Sequence, residues 1–111
     1  MPLATIEDFQ KNEIRLGRII QVEDFPRAKK AAFKLWIDFG TQGIKRSSAQ
    51  IASLYTKESL LNTLVLAVTN FPPRQIADFV SEVLVLGVHN EAGEVVLVRP
   101  EFDAPLGSLL R

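Results

Sequence analysis

Between Phe33 and Phe39 the chain alternates without a lapse. Phe33, Leu35, Ile37 and Phe39 share one parity, and Lys34, Trp36 and Asp38 share the other. A strand sends successive side chains to opposite faces, so this pattern describes a strand with one face in a core. Wound into a helix, the same apolar residues would scatter around the axis and build no buried face. The polar face carries a tryptophan beside a lysine, an uncommon pairing for a surface that only meets water.

Much of the remaining chain keeps the period of two. Ile14, Leu16, Ile20 and Val22 share a parity opposite Arg15, Gln21 and Glu23, which predicts a half-buried strand with a bend or bulge at Gly17. Phe25-Pro26 ends that strand and opens a basic loop, Arg27-Ala28-Lys29-Lys30. A turn at 40–43 leads into a third strand at 44–48. The apolar run at 64–69 predicts a strand covered on both faces. Asn70-Phe71-Pro72-Pro73 stops it, because neither proline can donate to a ladder. Residues 82–88 and 95–99 read as two further strands of a hairpin turning at 89–94. Helix signals are confined to residues 5–12, with Thr5 as N-cap, and to a short piece within 49–62, with Thr56 as N-cap. The first is so short that its stripe of Ile6 and Phe9 needs an outside surface, such as a second subunit, to pack on. After Pro100 the chain is apolar in places but broken by Pro105, which predicts an extended arm.

A chain of 111 residues buries about two-thirds of its extended surface on folding, enough for one core. Residues 1–111 are therefore expected to form a single domain. The fold class expected is all-β: a five-stranded OB-type Greek-key barrel, with a short N-terminal helix and a small helix between the third and fourth strands.

Thirteen basic residues balance thirteen acidic ones, which excludes a polycationic coating protein. The basic residues are bunched in the first half, however, and bunching makes a local field. With no cysteine and one histidine, disulfides, thiolate ligands and a Cys nucleophile are excluded, and no metal site is expected. His89 beside a hairpin turn is expected in solvent, and no glycine-rich phosphate loop is present. No catalytic residues and no cofactor are therefore expected. No apolar run approaches the ~18 residues of a membrane span, and the first residues lack a basic and then apolar leader pattern. A cytoplasmic protein that is not an enzyme and does not insert into membranes is expected.

Binding features are better represented. Lys34 and Trp36 together resemble the basic, aromatic lining that single-stranded nucleic acids use, unless the tail or a partner subunit covers the ring. Lys45, Arg46, Ser47 and Ser48 on the next strand suit phosphates, two cations with two hydroxyls, or serve as charges that guard an exposed edge. Phe71 and Arg74 set a ring and a cation on a stiff turn, or Phe71 plugs the end of the barrel. Glu82, at the start of a core strand, demands a partner, either backbone amides of the preceding loop or the donor edge of a ligand. Apolar Leu3, Phe9, Leu109 and Leu110 at the two ends suggest an interface.

Four runs carry a resemblance: residues 34–40 (KLWIDFG), 43–51 (GIKRSSAQI), 70–74 (NFPPR) and 81–87 (SEVLVLG). Together they resemble the CsaA family of export-related chaperones. That family is similar to the stand-alone tRNA-binding domain also appended to methionyl-tRNA synthetase and to the phenylalanyl synthetase beta chain. The resemblance implies an OB-fold homodimer with N- and C-terminal dimerisation extensions, binding of unfolded preproteins and association with the translocase motor SecA. It also implies structure-specific tRNA binding as the alternative, with no catalysis. Asn70, Ser81 and Glu82 match the Asn and Ser-Glu of the tRNA-binding signature. The glycine and methionine that usually follow are here Val83 and Leu84, a departure that favours the CsaA branch. Trp36, Phe71 and Arg74 are the residues expected to hold peptide. Lys34, Lys45, Arg46, Ser48, Asn70, Arg74, Ser81 and Glu82 are those expected to hold nucleic acid.

Overall fold

The computed structural model describes residues 2–28 and 30–111, so Met1 and the Lys29 of the basic loop lie outside the described residues. In chain order the elements are α1 (Ile6–Gln10), β1 (Ile14–Asp24), β2 (Phe33–Asp38), β3 (Ile44–Ala49), α2 (Lys57–Leu60), β4 (Leu64–Val68), β5 (Arg74–Ile76), β6 (Phe79–Ser81), β7 (Leu84–Val85), β8 (Gly87–His89) and β9 (Val95–Leu97). Five strands make one antiparallel sheet in the order β3-β2-β1-β4-β7, curled into a nearly closed barrel. The expected all-β, OB-type barrel with two small helices is what the chain forms. The second helix lies between β3 and β4, where it sends Leu60, wholly buried, into the core.

Alternation along β2 places Phe33, Leu35 and Ile37 inside, joined by Phe39, with the last three wholly buried. They meet Ile19, Val65 and Ala67 from the neighbouring strands and Val83 from the link between β6 and β7. Burying one such side chain contributes about 1.5–3 kcal/mol, which makes this interior the dominant stabilising feature.

In β1 the sequence pattern misleads. Ile19 is wholly buried while Ile20 is 39% exposed, because the register with β2 slips between Ile19 and Gln21. That bulge moves Val22 back to the interior, so the inward residues before and after it differ in parity. Gly17 is not the bulge. A Cβ there would lie 2.5 Å from Ile37 Cγ2 and 2.7 Å from the Phe39 ring, so the glycine lets two core side chains sit on the strand.

The tail is the expected extended arm, and it adds to β1 beyond the reach of β2. Leu16 N–H donates to the Ser108 carbonyl at 2.9 Å, Gly107 N–H to Leu16 at 2.8 Å, and Leu110 N–H to Ile14 at 2.8 Å. The predicted strand at 82–88 changes partner at Leu86, where β7 leaves β4 and β8 pairs with β9. The hairpin β5–β6 has no counterpart in the strand pattern of the sequence. Its strands are three residues long, and its turn, Ala77-Asp78, lacks a glycine or asparagine signal.

Candidate binding groove

The outer face of the barrel wall carries the residues that alternate away from the core. Lys34 stands opposite Ser48, and Trp36 opposite Arg46. The same alternation divides the predicted phosphate set, because Lys45 faces Ile37 and Ser47 faces Leu35 on the other side of the wall. Ser47 is wholly buried and donates to the Val83 carbonyl at 3.1 Å. Arg46 and Ser48 remain on the outer face, and Lys45 does not join them.

The tail is not what covers Trp36; the hairpin β5–β6 is. Phe79 lies edge-on to the Trp36 ring at 5.8 Å and to Phe25 at 5.6 Å, and with Ala32 they form a second small core outside the barrel. Two cations cap it: Lys34 Nζ stands 5.0 Å from the Phe25 ring and 5.4 Å from Phe79, and the Arg46 guanidinium 5.4 Å from Phe79. Trp36 and Lys34 leave the barrel outwards as expected, but they are half-buried in a packed cluster.

Ser81 and Glu82 close the barrel. Glu82 Oε1 accepts from the Arg46 backbone N–H at 2.9 Å and sits 3.6 Å from Arg46 Nε. Glu82 N–H donates to the Arg46 carbonyl at 2.8 Å. Ser81 Oγ accepts from the Ser48 N–H at 3.0 Å. These bonds stand where a ladder between β3 and β7 would otherwise be, and they satisfy the edge of β3. The partner of Glu82 is a backbone amide, but it is that of Arg46 on β3 and not one of the loop before Glu82. Asn70 is engaged too: Oδ1 accepts from Glu13 N–H at 2.9 Å and Nδ2 donates to the Lys11 carbonyl at 2.7 Å, tying the exit of α1 to the end of β4.

Beside this seam runs a groove made of two adjoining cavities. One, of about 220 Å³, is lined by Phe71, Pro72, Ile76, Val83 and Leu84 with Arg74, Ser48, Ser81 and Glu82. The other, of about 420 Å³, is lined by Arg27, Ala28, Lys30 and Gln50 and shares Ser48, Arg74 and Ile76 with the first. Phe71 does not plug the barrel; it is 44% exposed at the apolar end, as is Leu84 at 47%. Of the residues expected in binding, the structure brings Phe71, Arg74 and Ser48 together, with Ser81 and Glu82 in the wall. Trp36, Lys34, Lys45, Arg46 and Asn70 do not line the groove. Pro72, Ile76, Leu84, Gln50, Arg27 and Lys30 were not among the expected site residues. The bunched charge of the basic loop was the signal for the last two. Arg27 bridges to Asp78 at 3.2 Å, joining the loop to the hairpin across the groove.

A second concave surface lies where the chain ends meet. Ile6, Phe9, Leu109 and Leu110 line a cavity of about 340 Å³, and Leu16, Leu66, Pro100, Leu109 and Leu110 line another of about 320 Å³. Leu3 and Phe102 are among the exposed apolar residues of the same chain ends. Among the described residues no helix is long and apolar enough to cross a membrane.

This barrel with its seam and groove defines a class: the chain belongs to the family described as "Putative tRNA binding domain", whose model matches residues 14–109. Within that class the structure is similar to the chaperone CsaA of Bacillus anthracis str. Ames, with a TM-score of 0.93 and 44% identity, over 99% of this chain and 100% of that one. It is also similar to the CsaA chaperone protein of Picrophilus torridus, with a TM-score of 0.91 and 48% identity, over 98% of this chain and 100% of that one. The resemblance to CsaA seen in the sequence is thus matched over nearly the full chain. A methionine–tRNA ligase of Methanococcus aeolicus is 34% identical over 110 residues, which are 99% of this chain and 16% of the ligase. The chain thus spans about one-sixth of the length of that curated relative.

Proposed function

We propose that the protein is a CsaA-like chaperone that holds extended, unfolded polypeptide in the groove beside the β3–β7 seam. One observation carries this reading: exposed Phe71 and Leu84 stand beside Arg74 in a single concavity. Apolar side chains gain by leaving water there while a cation orients the segment. The likeness to two CsaA chaperones supports it. Preproteins awaiting export are the proposed clients, SecA is the proposed partner, and the cytoplasm the proposed place of action. Replacing Phe71 and Leu84 together with Ala should lower affinity for an unfolded client about tenfold or more, two lost apolar contacts of roughly 1 kcal/mol each. Unchanged affinity in a folded double variant would remove the groove from the reading.

Homodimerisation through the chain ends belongs to this proposal. The exposed area, 7278 Å², exceeds the roughly 6,000 Å² expected of a compact monomer of this mass. Ile6, Phe102 and Leu110, 63%, 79% and 41% exposed, account for part of the apolar excess. Leu110→Asp should shift the sedimenting species from dimer to monomer; a wild-type protein that sediments as a monomer at high concentration would overturn it.

Binding of tRNA is the second reading, favoured by the family match and by Arg27, Lys30 and Arg74 along the groove. Such binding should weaken steeply with salt, and Lys30→Ala and Arg74→Ala should each reduce the salt slope by about one. A flat salt dependence would exclude it.

A further inference from the structure

The charge along the groove is one-sided, and resting on the polypeptide-holding reading above, we infer that it selects extended segments in which an apolar side chain stands next to carboxylates, and rejects segments in which it stands next to basic residues. Phe71 and Leu84 form the apolar end, Arg74 belongs to both cavities, and Lys30 and Arg27 line the far one. The order along the groove is therefore apolar, then cationic. The one carboxylate in its lining, Glu82, is already engaged by the Arg46 backbone N–H at 2.9 Å and by Arg46 Nε at 3.6 Å, and Asp78, which reaches across the groove, is paired with Arg27 at 3.2 Å, so the unpaired charge rests on Arg74 and Lys30. Among the described residues neither Lys30 nor Arg74 takes part in an ion pair.

An extended segment projects alternate side chains to one side about 7 Å apart. A Leu or Phe seated against Phe71 and Leu84 therefore puts its neighbours within reach of Arg74 and then of Lys30. Carboxylates there meet cations, and lysines there meet like charge. A nucleic acid would satisfy the cations but offers nothing that matches an aliphatic Leu84, which is why the acidic, apolar polypeptide is the occupant we favour.

The test uses three fluorescein-labelled synthetic peptides with one Leu-Phe centre, flanked by Asp, by Ser or by Lys, with binding followed by anisotropy on the full chain. Each exposed pairing is worth a factor of about two to five, so two of them should separate the Asp and Lys peptides by roughly tenfold at low ionic strength. Added salt should narrow the gap, and the Ser peptide should fall between. Arg74→Glu should reverse the order, with Lys30→Glu as a second variant should the first fail to fold. Equal affinity for all three peptides overturns the charge selection and leaves the chaperone reading standing. Failure of every peptide to bind overturns both, and binding of unfractionated tRNA in that case would assign the groove to nucleic acid.

Discussion

Glu82 and Arg46 bond to each other twice through the backbone of Arg46. The Arg46 N–H donates to the Glu82 carboxylate at 2.9 Å, and the Arg46 carbonyl accepts from Glu82 N–H at 2.8 Å. One residue, side chain and backbone together, stands in for a strand partner at the place where the barrel closes. The same pair holds Arg46 over Phe79, so the seam and the outer cluster share a residue.

Glu82→Ala should therefore destabilise the fold by about 2 kcal/mol, since it strips a charged acceptor from a backbone donor in the seam. Glu82→Gln keeps an acceptor oxygen and should cost about half as much. Urea unfolding of the two variants checks this. Equal stability of Ala and wild type would mean that water replaces the carboxylate without loss.

Trp36 is held by packing. Trp36→Ala should cost about 2 kcal/mol, most of it in the docking of β5–β6, because the edge-to-face pair with Phe79 goes with the buried area. Hydrogen exchange should then accelerate at 79–81 more than in β1. Loss of client binding with that hairpin still protected would instead place Trp36 in contact with ligand.

Gly17→Ala introduces a methyl group that meets Ile37 at 2.5 Å and Phe39 at 2.7 Å, both wholly buried. Overpacking of this kind costs about 1–3 kcal/mol. A variant melting at the wild-type temperature would show that the barrel wall yields at no cost.

Stability of α1 should depend on acid. Asp8 accepts from the Thr5 backbone N–H at 3.0 Å in a capping box, and that hydrogen bond holds its carboxyl below the usual value of 3.8. A carboxyl whose folded pKa is depressed contributes stability that is fully present above its unfolded value and fades as pH falls through the folded one. Protection of the Thr5 and Asp8 amides, followed by NMR, should therefore be constant above about pH 5 and fall below about pH 4. Unchanged protection down to pH 2 would mean that the cap does not depend on the charge.

Ala77, with φ of 52°, sits in the left-handed region at the tip of β5–β6 without the freedom of glycine. Ala77→Gly should stabilise the hairpin by up to about 1 kcal/mol. Lower stability, measured by thermal unfolding, would show that unfolded-chain entropy outweighs the relieved strain.

Alternation and turn chemistry by themselves determined the barrel. Phe33 to Phe39 names its own inward face, the prolines of 70–73 stop β4, and Thr5 and Thr56 start the two helices where their side chains cap them. These are local rules, acting over two to four residues, so they can be read along a chain. The resemblance in four runs located the class for the same reason. Tertiary structure alone decided what happens on the outer wall. An outward Trp36 reads the same whether it meets water or Phe79, forty-three residues further on, and the covering hairpin carries no strong local signal. Only closure could show that Glu82 serves the Arg46 amide, and only the bulge between Ile19 and Gln21 could turn Ile20 outwards. The groove follows from both: its apolar and basic ends come from segments some forty residues apart, brought together because the barrel returns β3 to the residues at 81–84. Parity tells a side chain which way to leave the backbone, and only the packing of distant segments tells it what it will meet.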